Sequence, residues 1–181
     1  TGFRGIQGWG CRSQVLSSKP ARLFNVVPSG DRRGLGDERE FDAPVEQVWK
    51  AWTESELLDQ WWAPKPWKAK TKTMDFRPGG CWLYSMVGPD NSEQYCRVDF
   101  QSIDINKGFH AKDSFCDANG EMSTDLPNMT WKNTFTKTES GTKVIVEISF
   151  SSEADIRTII EMGFEAGFTA ALGNLDELLD K

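Results

Sequence analysis

From residue 81 to residue 150 apolar side chains recur at every second position, and from residue 152 onward they recur in steps of three and four. A period of two places them on one face of a strand, and a period near 3.6 on one stripe of a helix. In "GGCWLYSMV", Trp82, Tyr84 and Met86 face away from Cys81, Leu83 and Ser85. "GFHAKDSFCD" aligns Phe109, Ala111, Asp113 and Phe115, "TWKNTFTKT" aligns Trp131, Asn133 and Phe135, and "TKVIVEISF" aligns Val144, Val146, Ile148 and Phe150. "QYCRVDFQSIDI" keeps Cys96, Val98 and Phe100 in phase, then shifts to Ile103 and Ile105, which predicts a bulge at Gln101 or Ser102. One-sided strands of this kind make an antiparallel sheet whose apolar face needs a cover.

The C-terminal segment supplies that cover. Ser152 and Asp155 form an S-x-x-D cap, after which Ile156, Ile159, Ile160, Gly163, Phe164, Gly167, Phe168, Ala171, Leu172, Leu175, Leu178 and Leu179 trace one stripe of a single long helix. Glycine inside a helix costs about 1 kcal/mol relative to alanine. Gly163, Gly167 and Ala171, four residues apart, therefore point to a shallow groove on the buried face, with Met162 beside it.

Two shorter helices precede the strands. Val45, Val48, Trp49 and Trp52 follow helical spacing behind Pro44, and T-E-S-E at residues 53 to 56 reads as a capping box for a second helix that Pro64 stops. This region concentrates indole: Trp49, Trp52, Trp61, Trp62 and Trp67 are five of the eight tryptophans. Three uses compete for them, namely a close-packed core, a platform for nucleic-acid bases and the wall of an apolar cavity.

Charge bears on that choice. Residues 1 to 36 carry six basic side chains and one acid, Asp31, whereas the remainder carries fifteen bases against twenty-six acids, so +5 is followed by -11. An acidic domain repels phosphate backbones, which argues against nucleic acid as a partner. The basic opening has no periodic apolar face and reads as a flexible N-terminal extension, leaving one domain over residues 37 to 181. A cytoplasmic location is expected; the alternative is organelle import, since the Arg- and Ser-rich opening has the composition of a transit peptide. No apolar run reaches the roughly 20 residues of a membrane span. Cys11, Cys81, Cys96 and Cys116 lack metal-ligand spacing and read as reduced thiols, and the single histidine, His110, falls on the outward phase of its strand. No cofactor or metal is expected.

The segments "FDAPVEQVWKAWTESELLDQWWAP", "FRPGGCWLYSMVGPD", "DSF" and "EMGFEAGFTAALGNLDELL" resemble the C-terminal-type domain of the activators of the heat-shock-protein-90 ATPase, within the START-like superfamily that includes the birch pollen allergen. The resemblance covers residues 37 to 181. It implies an α+β helix-grip fold, a curved antiparallel sheet of about six strands around a long C-terminal helix, with a cavity between them.

Alternation then selects the side chains that line such a cavity: Trp52, Trp61, Trp82, Tyr84, Cys96, Phe100, Asp113, Phe115, Trp131, Asn133, Phe135, Met162, Gly163, Phe164, Gly167 and Phe168. Most are apolar or aromatic, with Asp113, Asn133, Tyr84 and Cys96 as convergent polar groups, the composition of a small-molecule site. The expected function is binding of a small hydrophobic ligand. A chaperone-associated interaction module is the alternative. Catalysis ranks third, with Asp113 as the acid or base and Tyr84 or Asn133 orienting a substrate carbonyl.

Overall fold

The computed structural model describes residues 25–29 and 32–180. Strands β1 (Asn25–Ser29) and β2 (Arg32–Phe41) lead into helices α1 (Val45–Thr53) and α2 (Ser55–Trp61). There follow β3 (Lys68–Met74), β4 (Cys81–Val87), β5 (Glu93–Asp104), β6 (Gly108–Cys116), β7 (Met129–Lys137) and β8 (Thr142–Ser149), then α3 (Glu153–Glu161) and α4 (Phe164–Leu179). One antiparallel sheet of eight strands runs β1-β2-β8-β7-β6-β5-β4-β3. The expected bulge is present, the β5–β6 register shifting between Phe100 and Ser102.

Eight strands replace the expected six because two of them carry little apolar signal. In β3, "KAKTKTM", only Ala69 is buried, and lysines guard the sheet edge against pairing with another chain. At the opposite edge β1 pairs with β2 through the segment read as an extension. β2 begins at Arg32, ahead of the boundary expected at residue 37, and Leu35, paired with Ile148, is 1% exposed. Residues 1–24, with Cys11, lie outside the described residues. Removing residues 1–36 deletes β1 and the Leu35 side chain, and should cost about 2 kcal/mol or more in urea unfolding. Equal stability of truncated and full-length protein would show that this edge lies outside the cooperative unit.

Two helical readings change. Thr53 does not cap α2; it ends α1, its Oγ1 donating to Trp49 O at 2.8 Å, and α2 starts after Glu54 without a side-chain cap. The C-terminal helix is broken. Ser152 caps α3 as expected, accepting from Asp155 N, but Gly163 adopts φ +84°, a left-handed conformation that glycine enters without a Cβ penalty, and α4 begins beyond it. Gly163 therefore turns the chain between two helices, and does not carve a groove in one.

The core lies between the concave face of the sheet and the helices. Trp61 is fully buried and donates its indole N–H to Ala51 O at 2.8 Å, tying α2 to α1. Asn174 of α4 donates to Ala63 O at 3.0 Å, answering a carbonyl just past the end of α2. Arg39 and Asp176 add an ion pair between β2 and α4. His110 is exposed on the outer face of β6, as its phase predicts, and Cys81, Cys96 and Cys116 are free thiols.

Candidate functional site

Cross-strand register arranges the concave face into rows. Tyr84, Cys96 and Phe115 form one row, with the pair Met86 and Gln94 beyond it; Trp82, Val98, Asp113 and Met129 form the next row inward. Phe100, Ala111 and Trp131 make the third, and Phe109, Asn133 and Val146 the fourth. Neighbouring strands thus pair residues that are 11 to 24 positions apart in sequence, each projecting toward the helices.

A cavity opens over the outer rows. Its sheet wall is Tyr84, Cys96, Asp113, Phe115, Met129 and Trp131, and its helical wall is Ile159, Met162, Phe164, Gly167 and Phe168. Trp62, Pro64 and Trp67 close one side, while Met86 and Gln94 stand toward the rim. The empty volume is about 750 Å³ counting solvent at the open mouth; the enclosed part is much smaller. The lining is largely apolar and aromatic with a few convergent polar groups, the composition of a small-molecule site.

Behind it lies a smaller inner chamber lined by Trp52, Leu58, Trp82, Val98, Phe100, Phe109, Ala111 and Asn133. Trp62, Asp113 and Trp131 belong to both walls and form the partition. Trp62 is its keystone. Its indole packs against Trp61, Trp82 and Trp131 at ring-centroid distances of 5.2, 5.4 and 5.8 Å, and its N–H donates to the Tyr84 hydroxyl at 2.9 Å.

The expected site residues separate into three groups. Tyr84, Cys96, Asp113, Phe115, Trp131, Met162, Phe164, Gly167 and Phe168 surround the outer cavity. Trp52, Trp82, Phe100 and Asn133 face only the inner chamber. Trp61, Phe135 and Gly163 line neither: Trp61 and Phe135 are closed core, and Gly163 is the helix junction. Alternation identifies an inward face but not the depth of a side chain along it, which depends on the strand register. Missed were Trp62, Pro64 and Trp67, where the pattern of α2 dissolves into an irregular connection, and Met86, Gln94, Met129 and Ile159, which lie at strand ends or on a different helix from the glycines.

Trp82 stands in the wall of the inner chamber and away from the outer cavity. It is 3% exposed, stacks on Tyr84 at 4.0 Å, and donates its N–H to Thr71 Oγ1 at 2.9 Å, holding edge strand β3 to β4. Trp82→Phe should cost 1 to 3 kcal/mol, order of magnitude, through lost volume and the loss of the hydrogen bond to Thr71, which keeps Asp59 as its other partner, with little effect on uptake by the outer cavity. Urea unfolding and probe titration of the variant check both halves; weakened uptake at unchanged stability would reverse this assignment.

The polar groups have distinct states. Burial raises the Tyr84 hydroxyl and the Cys96 thiol well above their ordinary ranges, and the two share a hydrogen bond. Both stay protonated at neutral pH, so Cys96 is no thiolate nucleophile. Burial also raises Asp113, against the lowering effect of the Ser114 backbone N–H, to about 7. The cavity therefore holds one group that changes charge near neutrality. Among the described residues no three His, Cys, Asp or Glu side chains are grouped to hold a metal ion, and no helix is long and apolar enough to cross a membrane.

Comparison with known proteins agrees with this architecture. A family model described as "Activator of Hsp90 ATPase homolog 1-like protein" matches residues 42–180. The protein Ms6760 from Mycobacterium smegmatis is 29% identical with a TM-score of 0.78, over 87% of this chain and 97% of its own. A protein from Arthrobacter aurescens is 29% identical with a TM-score of 0.77, over 81% of this chain and 86% of its own. One from Staphylococcus epidermidis is 26% identical with a TM-score of 0.74, over 84% and 92%. No curated protein matches the chain.

Proposed function

This chain belongs to the Activator of Hsp90 ATPase homolog 1-like family, and from that premise and the chemistry of its cavity we propose that it binds a small, uncharged apolar or aromatic molecule between the sheet and α4. The supporting observation is the outer cavity itself: rings and methionines on nearly every side, an open mouth, and polar groups that are neutral below pH 7. A close-packed core has no such space. Gly167 favours the same reading, because a helix interior disfavours glycine unless something needs the room, and this glycine stands in the cavity wall.

The uncharged fluorophore N-phenyl-1-naphthylamine tests it. Titration into wild-type protein at pH 6 should give saturable binding with one site per chain. Gly167→Leu, which improves helix propensity while filling the cavity, should abolish that binding and keep a cooperative melt. Absence of saturable binding to wild type would remove the ligand reading and favour an interaction module, in which the acidic surface contacts a partner such as a chaperone.

A further inference from the structure

Three buried polar atoms in the inner chamber's lining residues have no hydrogen-bond partner within the protein: the indole N–H groups of Trp52 and Trp131 and the side-chain oxygen of Asn133. Trp52 is 3% exposed, Trp131 4% and Asn133 2%. An unpaired buried donor or acceptor carries its full desolvation cost, on the order of 1 to 3 kcal/mol. Three around one small space amount to a specification. Two donors call for an acceptor with two lone pairs, and one acceptor calls for a donor. A single hydroxyl group has that inventory, one O–H and two acceptor positions. A carbonyl would leave Asn133 unanswered, and an ammonium would leave both indoles unanswered. The chamber has room for about one water-sized group.

Resting on the reading of the outer cavity as a ligand site, we propose that the inner chamber is a hydroxyl-recognition subsite: the ligand is an apolar or aromatic alcohol or phenol whose body fills the outer cavity and whose hydroxyl passes the Trp62–Asp113–Trp131 partition. The hydroxyl donates to Asn133 Oδ1 and accepts from the indoles of Trp52 and Trp131. Asp113 lines both spaces and marks the passage between them. A water molecule offers the same chemistry, so the test must tell a ligand hydroxyl from water.

The probes are 2-naphthol and 2-methylnaphthalene, which share a shape and differ by hydroxyl against methyl. Calorimetric or fluorescence titration at pH 6 into wild-type protein should show 2-naphthol binding about tenfold more tightly or better, the expected yield of one well-made buried hydrogen-bond set. In Asn133→Leu the preference should fall to within about twofold while 2-methylnaphthalene binds as before. Trp52→Phe, which removes one donor at a second position, should lower the ratio in the same direction, so the result does not depend on one variant folding. Equal, saturable affinities in wild type would mean that the chamber takes water alone; the hydroxyl subsite would fall and the ligand cavity would stand. A preference that survives both substitutions would also overturn the assignment. If neither probe binds saturably, the cavity reading fails and the subsite with it.

Discussion

Trp62→Ala is expected to destabilise this protein by about 3 to 5 kcal/mol, a large part of the 5 to 15 kcal/mol typical of a whole domain. The indole is one of the larger buried groups, and its neighbours cannot close the gap. Rings from α2, β4, β7 and α4, namely Trp61, Trp82, Trp131 and Phe168, all pack on it, and each is fixed by its own element. The substitution also removes the donor to Tyr84 OH, leaving a buried hydroxyl with one partner fewer. Because Trp62 belongs to the partition, its loss joins the inner chamber to the outer cavity. Urea unfolding of wild type, Trp62→Ala and Trp67→Ala measures the effect; Trp67, half-buried at one side of the cavity, should cost far less. Equal losses for the two tryptophans would refute the keystone role.

Asp113→Asn should move stability the other way. The Asp113 carboxyl titrates near 3.8 in the unfolded chain and at about 7 in the fold. Well below the unfolded value of 3.8 both states hold the proton and burial carries no ionisation penalty. Between pH 4 and pH 7 the unfolded chain loses its proton while the fold retains it, so wild-type stability falls as pH rises through that window. Above about 7 the penalty is constant, reaching up to about 4 kcal/mol for a shift of this size. Asparagine has nothing to ionise. The variant should match wild type near pH 4 and exceed it at pH 8, with most of the pH dependence between 4 and 7 gone. Urea midpoints at pH 4.5, 6 and 8 check this, and unchanged pH dependence in the variant would mean that Asp113 is ionised throughout. The ligand site inherits the same sign: an uncharged ligand that further buries Asp113 binds the protonated form better, so its affinity should fall as pH rises through 7.

Local pattern alone determined much of this protein. The one-sided strands β5, β7 and β8, the bulge after Phe100, the Ser152 cap and the inward phase of Tyr84, Cys96, Asp113 and Asn133 follow from periods of two and 3.6 and from capping chemistry, which act over a few residues, whereas β4 and β6 bury Leu83, Ser85, Ser114 and Cys116 on their other face as well. The motifs around them carried the family. Tertiary structure alone decided four other things. It recruited β1 and the Lys-rich β3 as sheet edges, where backbone pairing with a neighbour outweighs weak apolar signal. It broke the last helix at Gly163, which takes a left-handed φ of +84° between α3 and α4. By register it sorted one inward face into an outer cavity, an inner chamber and closed core, sending Trp82 to the chamber and Trp131 to the partition. It also left Trp52, Trp131 and Asn133 without partners, since whether a buried polar atom is satisfied depends on groups that only the folded chain brings near it.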